Sequence, residues 1–186
     1  ETTEQTFLRD GEIPEIGAPY ALPDLAGTLR RIQEHGSDGF YGGETADLIV
    51  AEMERGGGII THEDLASYQA AWREPVRFTY RGYTVYSMPP SSSGGVTMAQ
   101  MANMIEAYNL AALGWHSPDM IHLMAEVWRR AYSDRNEYLA DPDFVEIPAA
   151  GLLSKEYARQ RAKLIDMDRA STSFLAGNPF EFDDDV

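Results

Sequence analysis

The sequence predicts an α+β protein that is mostly helical and contains one short pair of strands. Apolar residues recur every three or four positions over most of the chain, which is the spacing of one helix face. Residues 76–88 instead alternate between apolar and polar side chains, which is typical of a half-buried strand pair. We expect residues 1–170 to form one region and residues 171–186 to form an acidic, mobile tail.

The composition excludes several classes of partner and chemistry. The 186 residues include 30 acidic and 15 basic side chains, for a net charge of −15. Such a surface repels the phosphates of nucleic acids and anionic membranes, so we expect neither as a partner. The absence of cysteine excludes disulfides, thiolate metal sites and a cysteine nucleophile. No apolar run is long enough to span a membrane. Because the first residue is Glu rather than Met, we expect a fragment or a processed product.

The N-terminal third predicts helices separated by turns. Residues 1–20 are polar and punctuated by Pro and Gly, and we expect an extended surface segment there. Pro23 begins a helix that Gly36 ends. Residues 40–43 predict a turn, and the second helix that follows it ends at the three glycines 56–58.

The middle of the chain predicts a short helix and then the strand pair. Thr61 and Asp64 fit a capping box, so a short helix to about Ala71 should follow. Residues 76–80 and 83–87 alternate on either side of an Arg-Gly dipeptide, which predicts a hairpin or a bent strand pair.

The remaining sequence predicts three further helices. The helical period resumes after Gly95. Ser117 is followed by Pro and Asp, which places a cap, a first-turn proline and an acid in the order of a helix start. Ser154 caps a last helix that should reach about Ile165.

A run of three serines and two glycines, Ser91 to Gly95, is the first candidate for a site. It lacks the G-x-S-x-G pattern of a hydrolase nucleophile elbow and the Lys of a phosphate-binding loop. Free amides at the start of the following helix could hold an anion. The reading we favour is structural: a helix N-cap, with a glycine pair that lets the backbone pack closely.

Charged and metal-ligating residues form the second group of candidates. A cluster in "YSDRNEYLADPDF" consists of Asp134, Arg135, Asp141 and Asp143. Paired carboxylates can transfer protons or bind a cation, but an Asp–Arg ion pair that joins a helix end to a turn is more frequent, and we favour it. No two histidines have the spacing of a helical zinc site. The histidines are His35, His62, His116 and His122.

Methionines recur at helical spacings in the second half of the chain, and we interpret them as core residues rather than as a ligand surface. They are Met98, Met101, Met104, Met120 and Met124.

Five blocks of the sequence, taken in order, resemble the γ-glutamyltranspeptidase family. They are "FLRDGEIPEIG", "DLAGTLRRIQEHGSDGFYGG", "GGGIITHEDLASYQAAWREPV", "YRGYTVYSMPPSSSGGVTMAQ" and "AYSDRNEYLADPDF". The resemblance covers residues 7–168. Any one block alone would be a weak signal, and the specificity lies in their joint order and spacing.

The resemblance implies an N-terminal-nucleophile hydrolase with an αββα sandwich, made as a precursor that cuts itself into a large and a small subunit. In this family the N-terminal Thr of the small subunit attacks a γ-glutamyl amide such as that of glutathione. Water or an amino acid then takes the glutamyl group from the acyl-enzyme. This chain resembles the C-terminal part of the large subunit, with residues 171–186 leading to a cleavage point after Val186. The run Thr172-Ser173-Phe174 does not resemble the opening of the small subunit.

No catalytic residue of the family matches a position in this chain, so we assign no catalytic residue, metal ligand or cofactor. The candidates for shaping the substrate pocket are Ser92, Ser93, Gly94 and Gly95. We expect a scaffold that is inactive alone. Its expected partners are the small subunit and the N-terminal part of the large subunit, and the complete enzyme should act on γ-glutamyl small molecules. The resemblance implies a periplasmic or extracellular location.

Two other functions stay open at this stage. The first is that of a related enzyme on the same scaffold, either a cephalosporin or glutaryl acylase or a capsule-processing transpeptidase. The second is that of a non-enzymatic binding module that kept the scaffold and lost the chemistry.

Overall fold

A computed structural model describes residues 2–172 and 175–183 of the chain. The chain divides into two compact units, Glu1–Ala71 and Trp72–Val186, whereas the sequence led us to treat residues 1–170 as one region. Ser173, Phe174 and the last three residues lie outside the described residues, and the expected cleavage point after Val186 lies there too. None of the described helices is both long and apolar enough to cross a membrane.

The first unit is helical in its described residues. Its helices are α1 Thr2–Phe7, α2 Pro23–His35, α3 Asp38–Tyr41, α4 Gly43–Gly56 and α5 His62–Ser67. The predicted helices at Pro23 and before the three glycines are confirmed as α2 and α4. The short helix α1 occupies the start of the segment 1–20 that we expected to be extended, and α3 overlaps the first half of the turn expected at residues 40–43.

A close approach at Gly39 joins α2 to α3 in the first unit. A Cβ at this position would lie 2.1 Å from the carbonyl oxygen of Arg31, so only glycine fits. The buried hydroxyl of Thr45 on α4 donates to the Gly39 carbonyl (2.8 Å) and accepts from Arg31 Nε (2.8 Å). The buried apolar residues of this unit are Ala46, Val50 and Leu65.

The capping box predicted for α5 is confirmed. The amide of Asp64 donates to Thr61 Oγ1 (3.2 Å), and the amide of Thr61 donates back to Asp64 Oδ2 (2.8 Å). This exchange satisfies two amides that a helix start leaves unpaired. The helix ends at Ser67, four residues before the expected position at Ala71.

The second unit begins with an antiparallel hairpin, β1 Val76–Tyr80 and β2 Tyr83–Ser87. Arg81 and Gly82 form its two-residue turn, and both have positive φ angles, 47° and 86°. Turns of this kind match the natural twist of the two strands. The predicted strand pair is therefore confirmed as a hairpin, with Val76 opposite Ser87.

In the described part of the second unit, five α-helices follow the hairpin, and α6 contacts most of the other elements. They are α6 Gly94–Ile105, α7 Leu110–Leu113, α8 Pro118–Tyr138, α9 Ala149–Leu153 and α10 Lys155–Lys163. Ser117 and Ser154 cap α8 and α10 with their hydroxyls, as predicted. The buried side chains of α6 contact the hairpin, α8, α9 and α10. The α+β class is confirmed.

The chain after α10 returns to the interior of the second unit. A 3-10 helix, Pro179–Phe182, buries both of its end residues. A Cβ at Gly151 of α9 would lie 2.0 Å from the Pro179 carbonyl oxygen, so the two segments touch through backbone. The sequence did not predict this helix, and the mobility of the segment from residue 171 onward stays a prediction.

Candidate functional site

The serine–glycine run forms the connection between β2 and α6. The amide of Ser92 donates to the Pro89 carbonyl (3.1 Å), and the amide of Gly94 donates to Ser92 Oγ (3.3 Å). A Cβ at Gly95 would lie 2.2 Å from the carbonyl oxygen of Met88, so this residue has to be glycine. The close backbone packing that we expected of the glycine pair is confirmed at Gly95, and α6 begins at Gly94.

Ser93 occupies the N-cap position of α6 but does not cap the helix with its side chain. Its hydroxyl instead accepts a hydrogen bond from Arg135 Nε on α8 (3.1 Å). The guanidinium group of Arg135 also lies 6.0 Å from the ring centre of Tyr132 and donates to Asn136 Oδ1 (2.9 Å). Ser93 thus joins the start of α6 to α8.

The serine hydroxyls lack the companions of a nucleophile. Activation of a hydroxyl requires a base within hydrogen-bond distance, and the base is oriented by a third group. Within residues 2–172 and 175–183, no histidine or carboxylate is bonded to the hydroxyls of residues 91–93. Ser92, Ser93, Gly94 and Gly95 stay candidates for shaping a substrate pocket, and the geometry gives none of them a chemical step.

The charged cluster that is compact in sequence separates in space. Asp134 points into the interior, whereas Arg135 reaches the serine run. Asp143 and Asp141 both face Arg73, at 2.6 and 3.8 Å. The hydrogen bond from Arg73 lowers the pKa of Asp143. The interpretation of these acids as structural ion-pair partners is supported. Their arginine partners are distant in sequence, however, and Arg135 of the cluster pairs with none of them.

Asp134 is a fully buried carboxylate at the centre of a polar network. Its Oδ2 atom accepts from Gln100 Nε2 on α6 (2.9 Å) and from the Tyr157 hydroxyl on α10 (2.8 Å). Its Oδ1 atom accepts from the amide of Gly177 (2.9 Å) and pairs with Arg161 (3.0 Å). Burial, together with the negative charge of Asp134, raises the pKa of Tyr157, so this tyrosine stays a hydrogen-bond donor.

Glu126, two helical turns before Asp134 on α8, is a second buried carboxylate that the sequence did not single out. It pairs with Arg130 (2.5 Å) and accepts from the amide (3.0 Å) and hydroxyl (2.5 Å) of Ser171. Burial raises its pKa, but the hydrogen bonds from Ser171 and Arg130 outweigh burial and lower the pKa to about 2. The buried face of α8 mixes apolar residues with the charged Glu126, Arg130 and Asp134, so the apolar period alone did not single out Glu126.

The histidines are dispersed over the surface. His62 lies 2.9 Å from Asp47, and His122 bonds the Asp166 carbonyl at 2.8 Å. His116 stacks on Trp115. Among the described residues, no three His, Asp or Glu side chains come close enough together to bind a metal ion.

An open apolar groove of about 800 Å³ lies along α7 and α8. Its exposed walls include Trp115, Ile121 and Trp128, which are 85%, 60% and 54% exposed. Met120 and Met124 also line the groove, so these two methionines are not core residues as we expected. Met104 is buried in the core as predicted, whereas Met98 is exposed.

The sequence of the chain is similar to that of known proteins. A profile described as Gamma-glutamyltranspeptidase matches residues 1–184. The chain is 44% identical to a glutathione hydrolase proenzyme of Escherichia coli K12, over 93% of this chain and 30% of that protein. It is 43% identical to an acylase ACY 1 proenzyme of Pseudomonas sp. SE83, over 92% of this chain and 30% of that protein.

A solved structure gives the same result. The chain superposes on Helicobacter pylori gamma-glutamyltranspeptidase with a TM-score of 0.82 and 41% identity, over 96% of this chain and 52% of that chain. Among the curated relatives named above, the chain spans about 30% of the length of each protein.

Proposed function

Because this chain belongs to the γ-glutamyltranspeptidase family, we propose that it is the C-terminal part of the large subunit of a γ-glutamyltransferase and glutathione hydrolase. The observation that carries the proposal is the match of 93% of the chain to a glutathione hydrolase proenzyme. The complete enzyme forms an acyl-enzyme on the N-terminal Thr of a small subunit and passes the γ-glutamyl group to an amino acid or to water.

The role of this chain within the enzyme is that of a scaffold. In the part of the chain that the structure describes, no histidine or carboxylate is bonded to the hydroxyls of residues 91–93, and the buried carboxylates Glu126 and Asp134 are paired with Arg130 and Arg161. Because both side chains are fully buried, neither carboxylate lies within hydrogen-bond reach of a substrate at the surface. The hairpin and the helices packed on it contribute to one side of an αββα sandwich, and the nucleophile lies on another polypeptide.

The proposed partners are the small subunit and the N-terminal part of the large subunit. The open groove with exposed Trp115, Ile121 and Trp128 supports contact with further protein, since monomeric proteins rarely expose contiguous apolar patches of this kind. The substrates of the complete enzyme are γ-glutamyl small molecules such as glutathione. We place the enzyme in the periplasm or outside the cell, which is the location that the family implies.

The test uses the full-length precursor. A denaturing gel should show it divided into two chains, and the divided protein should release p-nitroaniline from γ-glutamyl-p-nitroanilide, faster when an acceptor amino acid is added. A precursor that stays intact and inactive would instead support a non-enzymatic binding module. Turnover by the 186-residue chain alone would contradict the scaffold role.

An acylase is the second candidate, because the identity to the acylase ACY 1 proenzyme, 43%, is almost equal to that of the glutathione hydrolase, 44%. This chain carries no catalytic residue that separates the two activities. Glutaryl and γ-glutamyl amides should therefore be assayed side by side on the divided full-length protein. A higher kcat/KM for the glutaryl amide than for the γ-glutamyl amide would favour the acylase over the first proposal. Comparing kcat/KM for a capsule polymer in the same way tests a capsule-processing transpeptidase.

A further inference from the structure

The segment that follows α10 is held to the interior by two buried carboxylates of α8. Glu126 accepts from the amide of Ser171 (3.0 Å) and from its hydroxyl (2.5 Å). Asp134 accepts from the amide of Gly177 (2.9 Å), and the carbonyl of Gly177 accepts from the Tyr138 hydroxyl (2.6 Å). Side chains of α8 therefore bond directly to the main chain of the returning segment at two points.

These two points determine the direction of the segment. Glu126 and Asp134 lie eight residues apart on one helix, which is about 12 Å along its axis. Ser171 bonds to the first acid and Gly177 to the second, so the segment runs along α8 in the direction of the helix.

The network also determines the register of the segment. A Cβ at Gly177 would lie 2.3 Å from the hydroxyl of Tyr157, so only glycine fits beside Asp134. A shift by one residue would bring Ala176 or Asn178 to this position and would place a side chain in that space. The chain around Gly177 therefore has one favourable register.

Each acid is matched by a buried arginine. Glu126 pairs with Arg130 at 2.5 Å, and Asp134 pairs with Arg161 at 3.0 Å. Arg161 also donates to the carbonyl of Leu175 (3.0 Å), so the cation holds the same segment as the acid does. Removing one acid leaves a buried cation without its partner, which is costly, and releases the main chain at that point.

We infer that Glu126 and Asp134 are positioning residues for the self-cleavage of the precursor. By holding Ser171 and Gly177, they direct the chain that follows so that the scissile peptide bond meets the nucleophile. This inference rests on the proposed function, in which the full-length precursor divides itself into two chains.

The step that depends on this geometry is intramolecular. The nucleophile's hydroxyl oxygen bonds to the carbonyl carbon of the preceding residue, the C–N bond breaks, and the nitrogen takes the hydroxyl proton. Water then hydrolyses the ester, which leaves a carboxylate on one chain and a free amine and hydroxyl on the other. A misplacement of about 1 Å can slow such a reaction about 100-fold. The position of the anchored segment therefore strongly affects the rate of cleavage.

The experiment follows self-cleavage of the full-length precursor in a cell-free translation time course, read on a denaturing gel. Asp134→Asn and Glu126→Gln each remove one charge and keep the side-chain size. We expect both to slow the division by about 10- to 100-fold. The matched control is Glu137→Gln, an exposed acid on the same helix, which should divide at the wild-type rate.

A second readout separates positioning from general stability. The divided fraction of each variant is purified after long incubation and assayed on γ-glutamyl-p-nitroanilide. Positioning predicts a slow division but a kcat/KM of the divided enzyme within about twofold of wild type, because a completed cleavage no longer needs the scissile bond to be placed. Equal losses of cleavage rate and of kcat/KM would overturn the inference.

The remaining outcomes are also decisive. If Asp134→Asn does not fold, Ser171→Ala replaces it, since this variant removes one half-buried hydroxyl from Glu126 and leaves both ion pairs intact. Cleavage of Ser171→Ala at the wild-type rate would then overturn the inference. A wild-type precursor that never divides would refute the proposed function itself, whereas a dividing wild type with an equally fast Asp134→Asn refutes only the positioning role.

Discussion

Glu126 makes the stability of the second unit depend on pH in the acid range. Its ordinary pKa is 4.5, and although burial raises the pKa, hydrogen bonds from Ser171 and Arg130 lower it to about 2. Each pKa unit corresponds to about 1.4 kcal/mol, so lowering the pKa of Glu126 from 4.5 to about 2 contributes about 3 kcal/mol of folding free energy. The side chain is almost completely buried, so solvent does not screen these contacts.

The sign follows from the direction of the shift. Because the folded state lowers the pKa, the stabilisation is fully present above pH 4.5 and is lost as the pH falls towards 2. Urea unfolding of the complete protein should be measured between pH 7 and pH 3 for wild type and Glu126→Gln. The variant should be less stable by about 3 kcal/mol at pH 7, and the gap should narrow by about 1.4 kcal/mol per pH unit below pH 4.5.

Glu137→Gln is the control for this measurement, since it removes an exposed carboxylate from the same helix. It should follow the wild-type stability curve at every pH. Parallel curves for wild type and Glu126→Gln below pH 4.5 would refute the reasoning, because they would mean that Glu126 takes up its proton equally in the folded and unfolded states.

Three further predictions concern the turns and caps. Gly95→Ala should destabilise the protein by about 1–3 kcal/mol in thermal unfolding, because its Cβ would overlap the Met88 carbonyl. Gly94→Ala is the control and should destabilise it much less, because its Cβ would lie 3.5 Å from its nearest neighbour. Replacing the three serines 91–93 by alanine should leave most γ-glutamyl-p-nitroanilide turnover of the complete enzyme intact, and a loss as large as that from deleting the nucleophile would be contrary evidence. Thr61→Ala should destabilise α5 by about 1 kcal/mol in urea unfolding, and Thr61→Ser should restore it.

The fold was predictable wherever a local pattern is sufficient to form an element. Alternation over residues 76–87 predicted the hairpin, and the hydroxyls of Ser117 and Ser154 marked the starts of α8 and α10. The short helices α3 and α9 were not predictable, because helices of four or five residues without a side-chain cap are formed by packing rather than by periodicity. The burial of Phe182 likewise depends on a surface formed by residues far away in sequence.

The sequence predicted what the candidate site lacks, but it did not predict which residues contact one another there. The absence of a nucleophile motif around Ser92 and the close backbone packing at Gly95 followed from residue types alone. The bond from Arg135 to Ser93 spans 42 residues, and the pair of Arg73 with Asp143 spans 70. We expected an Asp–Arg ion pair within the cluster to join a helix end to a turn, but Asp143 in the turn pairs with Arg73, and Arg135 bonds to Ser93 instead.

The two buried acids of α8 are better explained by a requirement for a unique chain path than by a requirement for stability. Well-packed apolar residues in place of a buried ion pair often stabilise a protein equally well or better. Apolar contacts, however, are non-directional and tolerate a sliding segment, whereas Asp134 accepts one particular amide, that of Gly177, beside a tyrosine that admits only glycine there. A segment that only had to be covered would not need such a contact. A segment that leads to a bond broken by its own polypeptide does need it, because the reacting atoms must meet without the aid of a separate binding site.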